Sequence, residues 1–249
     1  MLLTTKPIKA TDPLFDFVES FWMLDHASDD SREVVILPDG RIDLFFSKSA
    51  TEPFHVTLLG LGSQAEEALI APQTRTFAIS FKLPATEYIL HGSVAALLNE
   101  AYRLPDDFWG FNEGDLYNFD LFCTKATHKI KDLLPLDIDG RKRKLFELIY
   151  ASNGSITVKE LSEQVYWSSR QINRYFNGQY GIPLKSYCSI LRFKASFRHI
   201  SEGKLFPDHN FSDQSHFIRE VKRLSGVLPK DLKRNQNDRF IQFSSLPRK

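Results

Sequence analysis

The first third of the chain alternates short hydrophobic runs with turn residues. Runs rich in β-branched and aromatic side chains predict strands at 33–37, 41–47, 54–61, 68–71 and 76–83. The segment Pro38-Asp39-Gly40 predicts a turn between the first two, because proline fixes φ and glycine tolerates positive φ. Five short strands at this spacing suit a small barrel or sandwich.

After Pro84 the hydrophobic period changes to that of a helix. Residues 86–102 and 116–134 are predicted to be helical, with Leu97, Leu98 and Ala101 on one face. We therefore expect an α+β N-terminal domain in which a small barrel or sandwich precedes helices.

The second half carries helical periodicity throughout, which predicts an all-α domain. A helix at 143–151 is followed by Thr157 and Glu160, a capping box that opens a helix to Val165. Ser168 is the expected N-cap of the next helix, which Gly178 or Gly181 ends. Two helices three or four residues apart predict a helix-turn-helix.

The helix after Ser168 has two chemically different faces. At about 100° per residue, one face holds Arg170, Asn173, Arg174 and Asn177, while the apolar side chains lie opposite. Arginine bonds guanine and asparagine bonds adenine in the major groove, so this face suits base recognition. The alternative is an ordinary solvated helix face.

Further helices are predicted at 183–199, 211–224 and 229–234. Ser212 or Asp213 caps the second of these, in which Ser215, Arg219, Lys222 and Arg223 lie opposite the apolar stripe. This is a second basic amphipathic helix.

The formal net charge of +1 hides two halves of opposite sign. Residues 1–140 contain 11 basic and 22 acidic side chains, a net of −11, and residues 141–249 contain 21 and 9, a net of +12. We expect domains at 1–138 and 139–240, with a tail at 241–249. A basic domain suits a polyanion such as DNA. The alternatives are that the two surfaces attract each other, or that the acidic half masks the basic half until a ligand arrives.

Several function classes are disfavoured. Mean hydropathy is −0.28 and no apolar run of 18 residues occurs, so we expect no membrane span and, without a signal-peptide pattern, a cytoplasmic protein. Cys123 and Cys188 have neither disulfide-framework nor metal-knuckle spacing, and the histidines of the first half stand singly. No phosphate loop or nucleophile elbow is present. We expect no enzyme activity, no cofactor and no metal.

Two stretches carry a resemblance to a known family. One is the run from Phe211 to Glu220 with Lys222-Arg223 and Gly226-Val227-Leu228-Pro229, and the other is 168–187 with Arg192-Phe193 after it. Together they closely resemble the signature of AraC/XylS-type bacterial transcription regulators over residues 143–235. The resemblance implies a seven-helix DNA-binding domain with two helix-turn-helix motifs in adjacent major-groove segments.

The resemblance also assigns residues to DNA. The residues expected to contact bases are Arg170, Asn173, Arg174, Gln214, Ser215 and Arg219. Those expected to contact phosphates are Ser168, Asn177, His216, Lys222 and Arg223. Helical angles place Gln214 nearer the apolar side than its partners.

One segment departs from the family pattern. Between Arg192 and Asp213 the chain is about five residues shorter than usual, and Pro207 disfavours a helix at 202–210. We therefore predict that the second motif discriminates bases less than the first.

The N-terminal half more weakly resembles the ligand-sensing domain of a subset of these regulators. The matching runs are Leu37-Pro38-Asp39-Gly40-Arg41-Ile42-Asp43-Leu44, Gln73-Thr74-Arg75 and Phe108-Trp109-Gly110. They imply a cupin-like β-barrel with a helical extension.

The sequence thus predicts a sequence-specific DNA-binding transcription regulator controlled by a small-molecule effector. Expected partners are double-stranded promoter DNA, the effector, a second copy in a homodimer and, for an activator, RNA polymerase, with no membrane. One alternative is an N-terminal half that only dimerises. Another is a DNA repair alkyltransferase, which neither cysteine supports because both lack a Pro-Cys-His context.

Overall fold

A computed structural model describes residues 1–204, 211 and 213–244 of the chain. The N-terminal half forms antiparallel sheets. Its strands are β1 (Leu2–Pro7), β2 (Val18–His26), β3 (Arg32–Ile36), β4 (Ile42–Lys48), β5 (His55–Leu59), β6 (Glu66–Ile70), β7 (Thr74–Phe81) and β8 (Ala101–Leu104). Within the described residues, six strands pair in the order β1-β2-β7-β4-β5-β8, and β3 pairs with β6 in a separate sheet.

The large sheet is open, with β1 and β8 as its edges. The expectation of a closed barrel is therefore not met. The five strands predicted between residues 33 and 83 are present with small shifts at their ends, whereas β1, β2 and β8 had no sequence prediction.

The two faces of the large sheet have different roles. On one face Phe46 and Phe77 pack against Phe122 of helix α2 (Phe119–Leu133), with ring centroids 5.3 and 5.4 Å apart. The other face carries polar side chains such as Ser20, Asp43 and Ser80 beside the aromatic Trp22 and Phe45, and it faces the β3–β6 sheet. Helices thus cover one face and leave a cavity on the other.

The predicted helix at 86–102 is wrong. A short helix α1 (Pro84–Tyr88) and a 3₁₀ turn at Ala95–Leu97 occupy its start and middle, and its end is strand β8, which pairs with β5. Pairing across the sheet has overridden the local helical period.

The C-terminal half is helical. Its helices within the described residues are α3 (Gly140–Ala151), α4 (Val158–Val165), α5 (Ser169–Tyr180), α6 (Leu184–Ala195), α7 (Phe197–Ser201), α8 (Gln214–Ser225) and α9 (Pro229–Arg234). Thr157 and Ser168 cap α4 and α5 in capping boxes, and Asp213 caps α8. Gly181, at φ 73°, ends α5 in the left-handed conformation.

The predicted helix at 183–199 is not continuous. It divides into α6 and α7 at Ser196, whose hydroxyl donates to the Phe193 carbonyl at 2.6 Å. The shortened segment at 202–210, with Pro207, falls mostly outside the described residues.

The chain finally returns to the N-terminal half. Residues 235–240 lead to helix α10 (Ile241–Ser244), where the amide of Val35 donates to the Arg239 carbonyl at 2.8 Å. The Gln242 side chain accepts from the Leu37 amide at 3.0 Å and donates to the Leu37 carbonyl at 2.9 Å. The predicted tail at 241–249 therefore begins with a helix docked on β3.

Candidate functional site: two polar helix faces and an intersheet cavity

Helices α4 and α5 stand as the sequence predicts, joined by a turn at residues 166–168. Tyr166 ends α4 in the left-handed conformation at φ 55°. We define the α5 polar face as Arg170, Asn173, Arg174 and Asn177; all of these are exposed except Asn173, which is partly buried. The side-chain amide of Asn173 donates through Nδ2 to the Ser169 carbonyl at 2.9 Å. The acidic half therefore does not cover the arginines of this face.

Ser168 has a local structural role. Its hydroxyl accepts from the Gln171 amide at 3.2 Å and donates to the Gln171 side chain at 2.9 Å. Ser168 therefore stabilises the start of α5 as its N-cap. Its assignment to a DNA phosphate stays a prediction.

Helix α8 also presents a polar face. Its exposed members are Gln214, Ser215, Arg219, Lys222 and Arg223, and His216 is partly buried against the Phe211 ring. Gln214 lies in the first turn, on the exposed side. Arg223 forms two hydrogen bonds with Glu220, at 3.1 and 2.8 Å, so part of its charge is already compensated.

The C-terminal end of α5 is fastened to the N-terminal half. The Ser93 hydroxyl donates to the Gly178 carbonyl at 2.8 Å, and the Val94 amide donates to the Gln179 carbonyl at 3.0 Å. The Tyr175 hydroxyl donates to Glu87 at 3.0 Å. Backbone groups that a free helix would leave to water are thus satisfied by the other half of the chain.

A cavity of about 760 Å³ lies between the two sheets. The strand register places Ser20, Ser80 and Asp43 side by side on the large sheet. Two residues further along each strand, it places Trp22, Ala78 and Phe45 side by side. The Trp22 and Phe45 rings meet at 5.2 Å across the small Ala78. The wall is therefore a polar row beside an aromatic pair, which suits an organic ligand. We call this space the intersheet cavity.

Asp43 is the ionisable group of that polar row. The Trp22 indole donates to its carboxyl at 3.3 Å. Removal from water and the nearby Asp39 carboxylate raise the pKa of Asp43 to about 7.

A group of charges closes one end of the intersheet cavity, and both halves contribute to it. This ion cluster consists of Glu19, Asp39, Arg41 and Lys194. Arg41 lies 2.9 Å from Glu19, while Lys194 of α6 lies 3.2 Å from Glu19 and 3.7 Å from Asp39. Burial alone would raise the pKa of Glu19, but Arg41 and Lys194 lower it to about 2.

Beyond the ion cluster lies a second cavity of about 570 Å³, between the two halves. Lys82 lines it, and burial lowers the pKa of its ammonium to about 8. The Lys82 ammonium donates to the Phe15 carbonyl at 2.6 Å. Glu19, Arg41 and Lys194 line both cavities, so the ion cluster is the partition between them.

The C-terminal segment forms another wall of the intersheet cavity. Ile241 and Gln242 of α10 line it, as does Phe197 of α7. The Phe197 ring lies 5.0 Å from that of Phe243. An occupant of the intersheet cavity would therefore touch parts of the chain that follow α5.

Other chemistry has little support in the described part of the chain. Cys123 and Cys188 are buried, and burial raises the pKa of both thiols to about 11, which disfavours the reactive thiolate. No group of three potential metal ligands occurs among the residues described. Arg75 at the start of β7 is paired with Asp25 at 2.8 Å, so its charge is compensated within the N-terminal half. None of the described helices is long and apolar enough to cross a bilayer.

Sequence reasoning missed the ion cluster and the polar row. The sequence signal for these residues lay in the run from Leu37 to Leu44, which resembles the ligand-sensing domain of a subset of AraC/XylS-type regulators. The structure shows that this run supplies Asp39 and Arg41 to the ion cluster and Asp43 to the cavity. Glu19 and Lys194 had no sequence signal, because they meet from positions 175 residues apart.

Comparison with known proteins gives a family match of limited extent. Residues 6–103 match a domain of unknown function, DUF6597. No curated protein matches the chain.

Similarity to solved structures extends over most of the chain. The 1.65 Å structure of ToxT from Vibrio cholerae is 11% identical, with 85% of this chain and 97% of ToxT covered and a TM-score of 0.47. ToxT bound to (E)-4-(8-methylnaphthalen-1-yl)but-3-enoic acid is 10% identical, with coverage of 84% and 96% and a TM-score of 0.47. Wild-type ToxT bound to an unsaturated fatty acid is 12% identical, with coverage of 85% and 93% and a TM-score of 0.43.

Proposed function

We propose that the chain is a sequence-specific DNA-binding transcription regulator of the AraC type, controlled by a small molecule in the intersheet cavity. The α5 polar face reads bases through Arg170, Asn173 and Arg174. The α8 polar face adds contacts through Gln214, Ser215 and Arg219. Phosphates are held by Ser168, Asn177, His216, Lys222 and Arg223.

The exposed polar chemistry of α5 supports the DNA-binding part. Arg170 and Arg174 point to solvent from a helix whose opposite side is buried through Ile172 and Phe176. Such a helix can enter a major groove without unfolding anything behind it. Exposed arginines and asparagines on one face supply the bidentate contacts that distinguish guanine and adenine.

One observation carries the effector part: the intersheet cavity has walls from both halves of the chain. Lys194 of α6 and Phe197 of α7 contribute from the helical half. Helix α6 directly follows α5, and α7 precedes the segment leading to α8. A ligand that shifts Lys194 or Phe197 therefore changes the support of both DNA-facing helices. The homodimer and the contact with RNA polymerase stay predictions of the family resemblance.

The first test is the salt dependence of binding to a duplex of arbitrary sequence. Phosphate contacts release counterions, so the affinity should fall steeply and linearly on logarithmic axes as salt rises. Lys222→Ala removes an expected phosphate contact and should lower the slope by about one. Lys131→Ala, an exposed position on α2, removes the same charge away from the proposed interface and should leave the slope unchanged. Equal slopes for the wild type and Lys222→Ala would contradict the assigned contact, and no binding at low salt would contradict the function.

The predicted inequality of the two motifs has its own test. Arg174→Ala on α5 should cost more base discrimination than Arg219→Ala on α8. Equal losses of specificity would count against the weaker role of the second motif.

A further inference from the structure

We propose that the intersheet cavity takes a cationic small molecule, an amine or amidinium on an aromatic body, and that Asp43 is the anion that pairs with it. This inference rests on the proposed effector role of the cavity and names the chemical class of the effector.

The shape of the wall supports an aromatic body. Trp22 and Phe45 stand on either side of Ala78, whose small side chain is fully buried between strands β2 and β4. Across the cavity the β3–β6 sheet offers apolar side chains such as Val34 and Ile36. A flat ring system is thus enclosed by aromatic and aliphatic surface.

The hydrogen-bonding row lies directly beside this aromatic surface. Ser20 and Ser80 are paired neighbours on β2 and β7, and Asp43 is paired with Ser80 from β4. An ammonium group has three donors and no acceptor, so it can satisfy a carboxylate and two hydroxyls together. A cation held next to Trp22 and Phe45 also gains from the electron-rich faces of the two rings.

The charges at this end of the cavity favour a cation over an anion. Three carboxyl groups, Glu19, Asp39 and Asp43, line the intersheet cavity near two basic groups, Arg41 and Lys194. Both basic groups are engaged by Glu19, and Lys194 also reaches Asp39. Among the described residues none forms an ion pair with Asp43. One carboxyl group is thus left to pair with whatever occupies the cavity.

An anionic ligand meets the opposite situation. Its carboxylate would lie against Asp43 and Asp39, and the nearby cations Arg41 and Lys194 are already paired with Glu19. Like charges at close range in a partly dehydrated cavity cost several times more than they do in water. The structure therefore discriminates by charge as well as by shape.

The proposed contact at Asp43 is also connected electrostatically to the helical half of the chain. The groups that face Asp43 are Asp39 from the turn before β4, Trp22 from β2, Ser80 from β7 and Lys194 from α6. A cation at Asp43 weakens the repulsion between Asp43 and Asp39 and competes with Lys194 for these carboxylates. Lys194 is the member of this group that belongs to the helical half.

The test uses three probes that share an indole ring and differ in charge. Tryptamine is a cation, tryptophol is neutral and indoleacetate is an anion near neutral pH. Their affinities for the full chain are measured by calorimetry, for the wild type, for Asp43→Asn and for Asp30→Asn. Asp30 is an exposed aspartate outside the cavity lining and is the matched control.

We expect tryptamine to bind more tightly than both other probes. Asp43→Asn should weaken tryptamine binding about tenfold or more, and Asp30→Asn should leave it unchanged. In the wild type the tryptamine affinity should rise about tenfold between about pH 6 and about pH 8, because Asp43 ionises in that range while the amine stays charged. The pH profile needs no variant, so it holds even where Asp43→Asn fails to fold.

Three results would overturn the inference. They are equal or tighter binding of tryptophol or indoleacetate, unchanged tryptamine binding in Asp43→Asn, and no tryptamine binding at millimolar concentration. DNA binding measured on the same preparations distinguishes failure of the cationic-ligand inference from failure of the proposed DNA-binding function. Intact DNA binding together with any of these results rejects the cationic class and leaves the DNA-binding function standing, whereas loss of both rejects the proposed function as well.

Discussion

Lys194 of α6 donates a hydrogen bond of 3.2 Å to Glu19 of β2, and its ammonium lies 3.7 Å from Asp39. One side chain of the helical half thus holds two carboxylates of the sheet half. Glu19 is also paired with Arg41, which is buried. The ion cluster is consequently a point at which a change in the intersheet cavity reaches the helix that follows α5.

Replacing Lys194 by methionine should loosen this connection. Glu19 then keeps Arg41 at 2.9 Å and Lys82 at 4.0 Å, and we expect a loss of about 1–2 kcal/mol in the free energy of unfolding, since both Lys194 and Glu19 are about a third exposed. Denaturant unfolding measures this loss. Lys185→Met, an exposed position on the same helix, is the control and should change stability by less than about 0.5 kcal/mol. Equal effects of the two changes would show that the ion cluster contributes nothing.

Alanine substitutions at Gly178 and Gly181 should change the stability of the chain in opposite directions. Gly181 has φ 73°, and a Cβ there would lie 2.7 Å from the Ala95 carbonyl oxygen of the N-terminal half. We expect Gly181→Ala to destabilise the chain by more than about 1 kcal/mol. Gly178, inside α5, has open space around a Cβ, so Gly178→Ala should stabilise the folded chain by about 0.5–1 kcal/mol. Thermal unfolding of both variants tests the prediction, and a stabilising Gly181→Ala would contradict the close contact with Ala95.

Asp43 should give stability a characteristic pH dependence. Its pKa is raised from 3.8 to about 7, so the folded state binds a proton more tightly than the unfolded state does. The stabilising contribution of the protonated form is fully present below about pH 4 and is lost as the pH rises through about 7. Asp43→Asn should remove this slope and be more stable than the wild type at about pH 8, by at least about 1 kcal/mol. Parallel pH profiles for the two proteins would show that Asp43 is not buried against its neighbours in solution.

The docking of the C-terminal segment can be measured at β3. Gln242 exchanges two hydrogen bonds with the backbone of Leu37, and Ile241 lines the intersheet cavity beside it. We expect Gln242→Ala to increase hydrogen exchange at the Leu37 amide and at the Val35 amide, which bonds the Arg239 carbonyl. Gln236→Ala, at an exposed position of the same segment, should leave both amides protected. Unchanged exchange in Gln242→Ala would contradict the docking.

The sequence predicted those elements whose local pattern and tertiary environment agree. The capping boxes at Thr157 and Ser168 place α4 and α5 to within a residue, because a cap depends only on its own turn. Strand β7 follows from the alternation of Phe77, Ile79 and Phe81 with smaller or polar residues on its cavity face. Strand β2 does not, because its cavity face carries the hydrophobic side chains of Trp22 and Leu24 as well as polar ones. Its hydrophobic residues therefore lack a period of two.

The candidate site also has one part that the sequence predicts and one part that it does not. The α5 polar face follows from helical angles within a single element. The ion cluster does not, because Glu19, Arg41 and Lys194 come from three elements, and only the packing of the two halves brings them together. Strand β8 shows the same effect in the backbone: residues with a helical period become a strand because β5 offers an unpaired edge.

The most direct measurement is the selection of bound sites from random duplex DNA by the full chain at moderate salt. We predict an enriched sequence, and we predict that Arg174→Ala loses preference at one position of it while Lys131→Ala keeps the whole sequence. Failure to enrich any sequence, or an unchanged preference in Arg174→Ala, would contradict sequence-specific recognition by α5.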